Sequence, residues 1–405
     1  YRGKCSMRAI SKLIVTLIGC IIIGGCSFFQ DKDEEILPAE LIRFEEKIKI
    51  KQIWKTKIGK GSEFLHLSLL PNGDKKRVFL ASHDGRVAAF QSKDGAKEWG
   101  IELGTELTSG PSYGNDRVVV VSKNGELICL RDDDGSEVWR VKIKGESIAI
   151  PLIRNDSITV LTIDGQLRNF SIFDGAERWM TNQDMPSLTL RGASSPIGIG
   201  NNAIAGFDNG RLISVNIDSG VVQWESMLSP PSGKTDLERL TDIDGVIKSM
   251  GQDIYAVGYQ SQVASIAAES GQILWAKELS SNAGVAMDEE LLYAVTDTGD
   301  LVGMNRFDGS EVWRKEILLR REITAPTKFK STVVVGDFEG YLHFFDHKTG
   351  ELVSRKRVGK GAISGSAVVI DDYLYVQNES SEMAVFSIQE ESKSNISDVA
   401  LMGGT

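Results

Sequence analysis

Six times the chain reads Gly-x-x-x-Trp: Gly95 to Trp99, Gly135 to Trp139, Gly175 to Trp179, Gly220 to Trp224, Gly271 to Trp275 and Gly309 to Trp313. The glycines lie 40, 40, 45, 51 and 38 residues apart, and Gly350 follows 41 residues later with Ser354 where a tryptophan is due. A period near 40 restricts a chain to a repeat architecture, in which one supersecondary unit is copied and stacked.

The second copy shows the unit best. Arg117-Val118-Val119-Val120-Val121 is a β-branched run, Lys123-Asn124-Gly125 a hairpin turn, Glu126-Leu127-Ile128-Cys129-Leu130 a second strand, Asp134-Gly135 another turn and Glu137-Val138-Trp139 a third strand. The segment from Leu107 to Tyr113 supplies a fourth. Four short antiparallel strands per repeat describe a propeller blade, and no stretch carries the 3.6-residue period of a long amphipathic helix. Glycine provides the positive φ of the tight turn, helped by a preceding Asp, Asn or Ser. Four residues on, the tryptophan is expected on the same sheet face as its glycine, with the ring filling the wedge between blades.

The middle hairpins number eight: Asp84-Gly85, Asn124-Gly125, Asp164-Gly165, Asn209-Gly210, the region of Gln262, Thr298-Gly299, Glu339-Gly340 and Ser381-Glu382. The last unit stops at Phe386-Ser387-Ile388 without an outer strand, while Lys51-Gln52-Ile53-Trp54-Lys55 is a tryptophan strand with no turn before it. The sequence therefore predicts an all-β, eight-bladed propeller of four-stranded antiparallel blades over residues 47–390, closed by the N-terminal strand joining the last blade. Residues 391–405 read as a disordered tail.

Residues 1–25 read as a signal peptide, with Met7 as the start, residues 1–6 as an over-called start, and Arg8 and Lys12 before an apolar run over residues 13–23. That run is too short to span a bilayer. Ile23-Gly24-Gly25-Cys26 resembles the bacterial lipobox, which would acylate Cys26 at the mature N-terminus, and Ser27 resembles the signal for sorting to the outer membrane. Residues 26–46, acidic and containing Pro38, read as a flexible lipidated tether. Losing Arg2, Lys4, Arg8 and Lys12 takes the formal charge from −10 to −14, which argues against nucleic acid as a partner. Only Cys26 and Cys129 remain after cleavage, so no structural disulfide is expected.

Catalytic and metal patterns fail on context. Gly110-Pro111-Ser112-Tyr113-Gly114 matches a nucleophile elbow, but leads into a strand rather than a helix. Gly198-Ile199-Gly200-Asn201-Asn202-Ala203 lacks the helix that binds a pyrophosphate, and Gly233-Lys234-Thr235 lacks the first glycine of a P-loop. His343 and His347 are too far apart along an extended chain for one zinc. Asp132-Asp133-Asp134-Gly135 reads as a hairpin turn rather than a calcium loop. No catalytic residue, metal or cofactor is expected.

Function is expected where the period stretches. From a blade tryptophan to the next blade's second strand the connectors run 19 residues at Trp99 to Val118, but 24 at Trp179 to Ala203 and 30 at Trp224 to Ile254. Both long connectors join an outer strand to the next inner strand, so they emerge on one rim from neighbouring blades. Apolar residues beside charges in both suit a docking patch, or a cap on the core between blades.

The motifs Pro186-Ser187-Leu188-Thr189-Leu190-Arg191-Gly192, Arg239-Leu240-Thr241-Asp242-Ile243-Asp244 and Gly336-Asp337-Phe338-Glu339-Gly340-Tyr341-Leu342-His343, behind a lipobox, resemble the BamB family of outer-membrane assembly lipoproteins over residues 26 to about 389. The resemblance implies a non-enzymatic scaffold on the periplasmic face of the outer membrane, bound to the POTRA domains of BamA within the Bam complex. It places the contact on Leu188, Leu190, Arg191, Asp242 and Asp244, with the leucines as anchors, Arg191 as a fork and the aspartates as ionic partners or loop braces. Gly245 departs from the pattern and is expected to loosen its loop. A second mode, capture of unfolded outer membrane protein precursors by strand addition, is compatible with the fold. The alternative is a quinoprotein dehydrogenase, whose propeller shares the tryptophan repeat; the chain lacks that family's adjacent cysteine pair. A WD40-type hub fails because no tryptophan here precedes aspartate.

Overall fold

The inner strands of each repeat are continuous apolar runs because both of their faces are covered by neighbouring blades. Val118, Val119, Val120 and Val121 of strand Arg117–Ser122 are all fully buried, whereas the outer strand Glu137–Lys142 stays exposed or half-buried along its length. In the computed structural model, which describes residues 37–62, 65, 67–186, 194–228, 242–243 and 245–389, the described strands form eight four-stranded antiparallel sheets arranged as an eight-bladed propeller. The segment read as a signal peptide, residues 1–25, Cys26 and the segment read as a tail, residues 391–405, lie outside the described residues.

Blade 8 is closed as expected. Its order is Val368–Ile370, Tyr373–Gln377, Glu382–Gln389 and then the N-terminal strand Lys49–Lys57, with Lys49 opposite Gln389 and Lys57 opposite Glu382.

The tryptophans hold neighbouring blades together, each through the turn glycine of the next blade rather than that of its own motif. Where each outer strand pairs inward the register slips by one residue, as between Ala89 and Phe90 opposite Trp99 and Lys97. Such a bulge re-aims the side chains beyond it, and the indole turns toward the following blade. Trp99 Nε1 donates to Asp132 O at 2.8 Å, and its ring lies on Gly135, where a Cβ would stand 2.6 Å from the indole. Trp54 meets Gly95, Trp139 meets Gly175, Trp179 meets Gly220, Trp224 meets Gly271, Trp275 meets Gly309 and Trp313 meets Gly350 in the same way. Ring and glycine of one motif therefore serve two different seams.

This also accounts for Ser354. Blade 8 takes its outer strand from the other end of the chain, so it presents no turn glycine for a blade 7 tryptophan to cover. Ser354 is instead buried, and its Oγ donates to Glu46 Oε1 at 3.1 Å.

Glu46 belongs to the segment read as a flexible tether, and that reading fails for its described C-terminal part. Residues 39–47 run along the outer strand of blade 7, Leu352–Arg357, as a strap. Ala39 N donates to Leu319 O and Lys47 N to Val353 O, both at 2.9 Å, while Leu41 and Phe44 pack on the core between blades 6 and 7. Charge and a proline suggest solvation, but they do not register the arginines waiting on blade 7.

The two rims differ. Outer-to-inner connectors leave beside the middle hairpin turns: Ile143 N donates to Gly125 O and Val358 N to Gly340 O, both at 2.9 Å. The opposite rim carries the tryptophan-covered glycine turns.

Candidate docking surface

Blade 4 fixes the described starts of both long connectors at a single turn. Asn209 Nδ2 donates to Asp184 O at 3.0 Å, tying down the start of the first, and Gly210 O accepts from Leu228 N at 2.9 Å at the start of the second. The first returns at Ser194 and Ser195, whose Oγ accepts from Ile150 N at 2.9 Å. The second returns at Asp242 and Ile243: Ile243 N donates to Phe207 O at 3.3 Å, and Tyr259 N to Asp242 O at 2.9 Å. Leu228 and Ile243 share one core cluster between blades 4 and 5. The described first residues of both long connectors are thus tied to one turn, Asn209-Gly210, on one rim.

Of the five residues on which the resemblance places the contact, Leu188, Leu190, Arg191 and Asp244 lie outside the described residues. Asp242 is placed, and its side chain is fully buried. A carboxylate without exposure does not present itself to a partner's surface. Gly245 is held, not loosened: a Cβ there would stand 2.8 Å from Gly284 Cα, and Val246 pairs with Gly284 in a parallel bridge. Only glycine permits that backbone approach.

The blade 7 motif builds a buried charge network that the spacing of residues did not reveal. Asp337 Oδ1 accepts from Glu339 N at 3.0 Å and Tyr341 N at 2.9 Å. Its Oδ2 accepts from Arg321 Nε at 2.9 Å and from His343 Nε2 at 2.9 Å. His343 Nδ1 accepts from Arg355 Nε at 3.2 Å, which fixes the neutral tautomer with its proton on Nε2. Arg321 Nη1 then donates to Ala39 O at 3.0 Å and Arg355 Nη1 to Ile42 O at 3.1 Å, with Phe44 beneath the Arg355 guanidinium at 5.1 Å. The network clamps the strap. Burial pushes the Asp337 carboxyl up, but the His343 bond, the Tyr341 N–H and Arg321 outweigh it and hold it below the usual carboxylate range. Burial lowers His343, more than Asp337 raises it.

The rejected catalytic motifs remain structural. Ser112 is buried inside strand Leu107–Gly114, and Gly198 and Ile199 lie in strand Ile197–Ile199, which turns directly into strand Asn202–Gly206. Asp132 spends its carbonyl on Trp99 and Arg77 and its carboxylate on Arg77 at 3.3 Å. Burial pushes the Cys129 thiol up to about 12, so it is inert near neutral pH. The axial channel, a cavity of about 1610 Å³, has a mixed wall in which Ile148, Ile197 and Ile363 alternate with charged residues such as Lys248, Asp297 and Lys328. Among the described residues no cluster of His, Cys, Asp or Glu could hold a metal ion.

The model of the family described as outer membrane protein assembly factor BamB matches residues 83–315. The chain belongs to the BamB family. A BamB of Pseudomonas aeruginosa is 42% identical over 369 residues, covering 91% of this chain and 97% of the relative. One of Alkalilimnicola ehrlichii is 43% identical over 388 residues, covering 96% and 99%. Among solved structures, BamB from Moraxella catarrhalis superimposes with a TM-score of 0.77 at 25% identity, over 84% of this chain and 100% of that one. A quinohemoprotein alcohol dehydrogenase from Comamonas testosteroni gives a TM-score of 0.67 at 11% identity over 85% and 78%, a likeness of fold alone. BamB membership makes the chain an outer-membrane assembly factor, not an enzyme.

Proposed function

We propose that the chain is a lipid-anchored scaffold of the β-barrel assembly complex that docks on the periplasmic POTRA domains of BamA and assists the folding and insertion of outer membrane proteins. The observation that carries this reading is that the starts of both long connectors are tied to the Asn209-Gly210 turn on one rim of blade 4. Leu188 and Leu190 act as apolar anchors, Arg191 as a two-pronged donor to a carboxylate or carbonyl, and Asp244 as an ionic partner. Asp242 supports them from inside. Acylation at Cys26 tethers the scaffold to the periplasmic face of the outer membrane.

Affinity capture of the chain from solubilised membranes, followed by mass spectrometry, tests the partner directly. The barrel-forming subunit should dominate the eluate; a pull-down that lacks it would refute the docking assignment. The mass of the mature N-terminus tests the anchor in the same sample, where an unmodified Cys26 would overturn it.

A further inference from the structure

Positive charge collects at the seam of blades 7 and 8 on a chain whose formal charge is −10. Residues 47–60 contain six lysines and no acid, and residues 355–360 contain Arg355, Lys356, Arg357 and Lys360 and no acid. The fold brings the two runs together. A bulge between Gln52 and Trp54 turns the second half of strand Lys49–Lys57 over, so Lys55 and Lys57 share a face with Ala384 and Glu382 and look toward blade 7. There a groove of about 440 Å³ is lined by Lys55, Lys57, Arg357, Lys360, Ser380 and Glu382.

Four cations face one acid. Lys55 Nζ donates to Val358 O at 2.6 Å and lies 3.4 Å from Glu382. Arg357 is oriented by the Tyr341 ring at 4.9 Å and by its Nε bond to Gly359 O at 3.0 Å. Among the described residues, Lys57, Arg357 and Lys360 have no carboxylate within ion-pair distance, although all three are exposed. Outer-strand arginines elsewhere are neutralised: Arg140 by Glu126 and Glu137, Arg178 by Asp156, Arg314 by Asp300 and Glu311. A groove with three unpaired cations on an acidic protein is arranged for an external anion.

Its place in the ring selects which anion. The groove opens on the connector rim, where Val358 meets Gly340 and Ile58 meets Ser381. The strap starts on that same rim, at Ala39 against Leu319. Thirteen residues separate Ala39 from Cys26, a reach of at most about 45 Å. Blade 8 stands opposite blade 4 in a ring of eight, so the groove and the docking connectors can be occupied together. We propose that the blade 7–8 groove binds the phosphate of an anionic phospholipid headgroup and so seats this edge of the propeller on the membrane surface, an inference that rests on the membrane-anchored reading above.

The full chain carrying Cys26→Ala, which cannot be acylated, is floated with vesicles of equimolar phosphatidylethanolamine and phosphatidylglycerol or of pure phosphatidylcholine. Binding to the first, its absence on the second, and loss at raised salt are expected. Lys57→Gln with Arg357→Gln and Lys360→Gln should weaken binding about a hundredfold, each cation near an anionic surface being worth about fivefold. Lys49→Gln with Lys51→Gln, on the other face of the same strand, should leave most of it intact. Equal losses in the two variants would make the attraction diffuse and overturn the groove. Saturable binding of inorganic phosphate without vesicle binding would make it a free-phosphate site, and capture of polyglutamate alone would make it an acidic-peptide site; either result overturns the lipid assignment. Acylation and capture of the barrel-forming subunit are read on the wild-type chain, so failure of the anchored reading shows separately.

Discussion

Each tryptophan of the repeat crosses a seam to cover a glycine of the next blade, and the glycine is needed on two counts. Gly135 has φ of 75°, and a Cβ there would stand 2.6 Å from the Trp99 ring. Gly104 has a similar φ of 69° but nothing within 4 Å of an added Cβ. Gly104→Ala should therefore cost about 1–2 kcal/mol from left-handed backbone strain alone, and Gly135→Ala about 1–3 kcal/mol more from overpacking. Denaturant midpoints of the two variants measure the difference, and equal losses would show that the ring does not press on the glycine. The spacing of residues made both members of the motif legible. It could not say which copy of the glycine a ring covers, because a period fixes distance along the chain and the bulge before each tryptophan decides direction in space.

At the level of elements, the strap and the blade 7 network form one device. His343 is completely buried and held neutral, with its folded pKa below the ordinary 6.5. As pH falls below that value the unfolded chain takes up a proton first, so the stability His343 contributes is complete above it and is lost as pH drops through the folded pKa. Asp337, also lowered, works in the same direction at more acid pH, below its ordinary 3.8. Protonation at His343 Nδ1 would set an N–H against Arg355 and remove the acceptor that holds it. The melting temperature should thus fall between about pH 7 and pH 5, and fall less in His343→Gln. A wild-type melt flat over that range would contradict the network's geometry. Little of this was visible in advance: the Gly336 to His343 motif stood out as a string, but Arg355 reaches His343 only through the register of the blade 7 hairpin, and Ala39 comes from the far end of the chain.

For the whole molecule, the count of blades followed from the eight middle hairpins, and the closing strand from two anomalies, Trp54 without a turn before it and a last unit that ends at Phe386-Ser387-Ile388 without an outer strand, which prove to be neighbouring strands of blade 8. The docking rim followed from the two stretched intervals, since a repeat cannot lengthen without putting the excess outside its sheets. Exposure was not legible in that way: Asp242 and Asp244 read alike in sequence, yet Asp242 is buried in the loop's base. The central claim is that the connectors around Asn209 and Gly210 grip the barrel-forming subunit. Its most direct test is a titration of the purified chain with the isolated POTRA domains of BamA. Arg191→Glu, or Leu188→Asp with Leu190→Asp, should weaken the complex at least about thirtyfold, as loss of a central hot spot does, while the Asn209-Gly210 turn and the thermal melt stay unchanged. Wild-type affinity in both variants would contradict the claim.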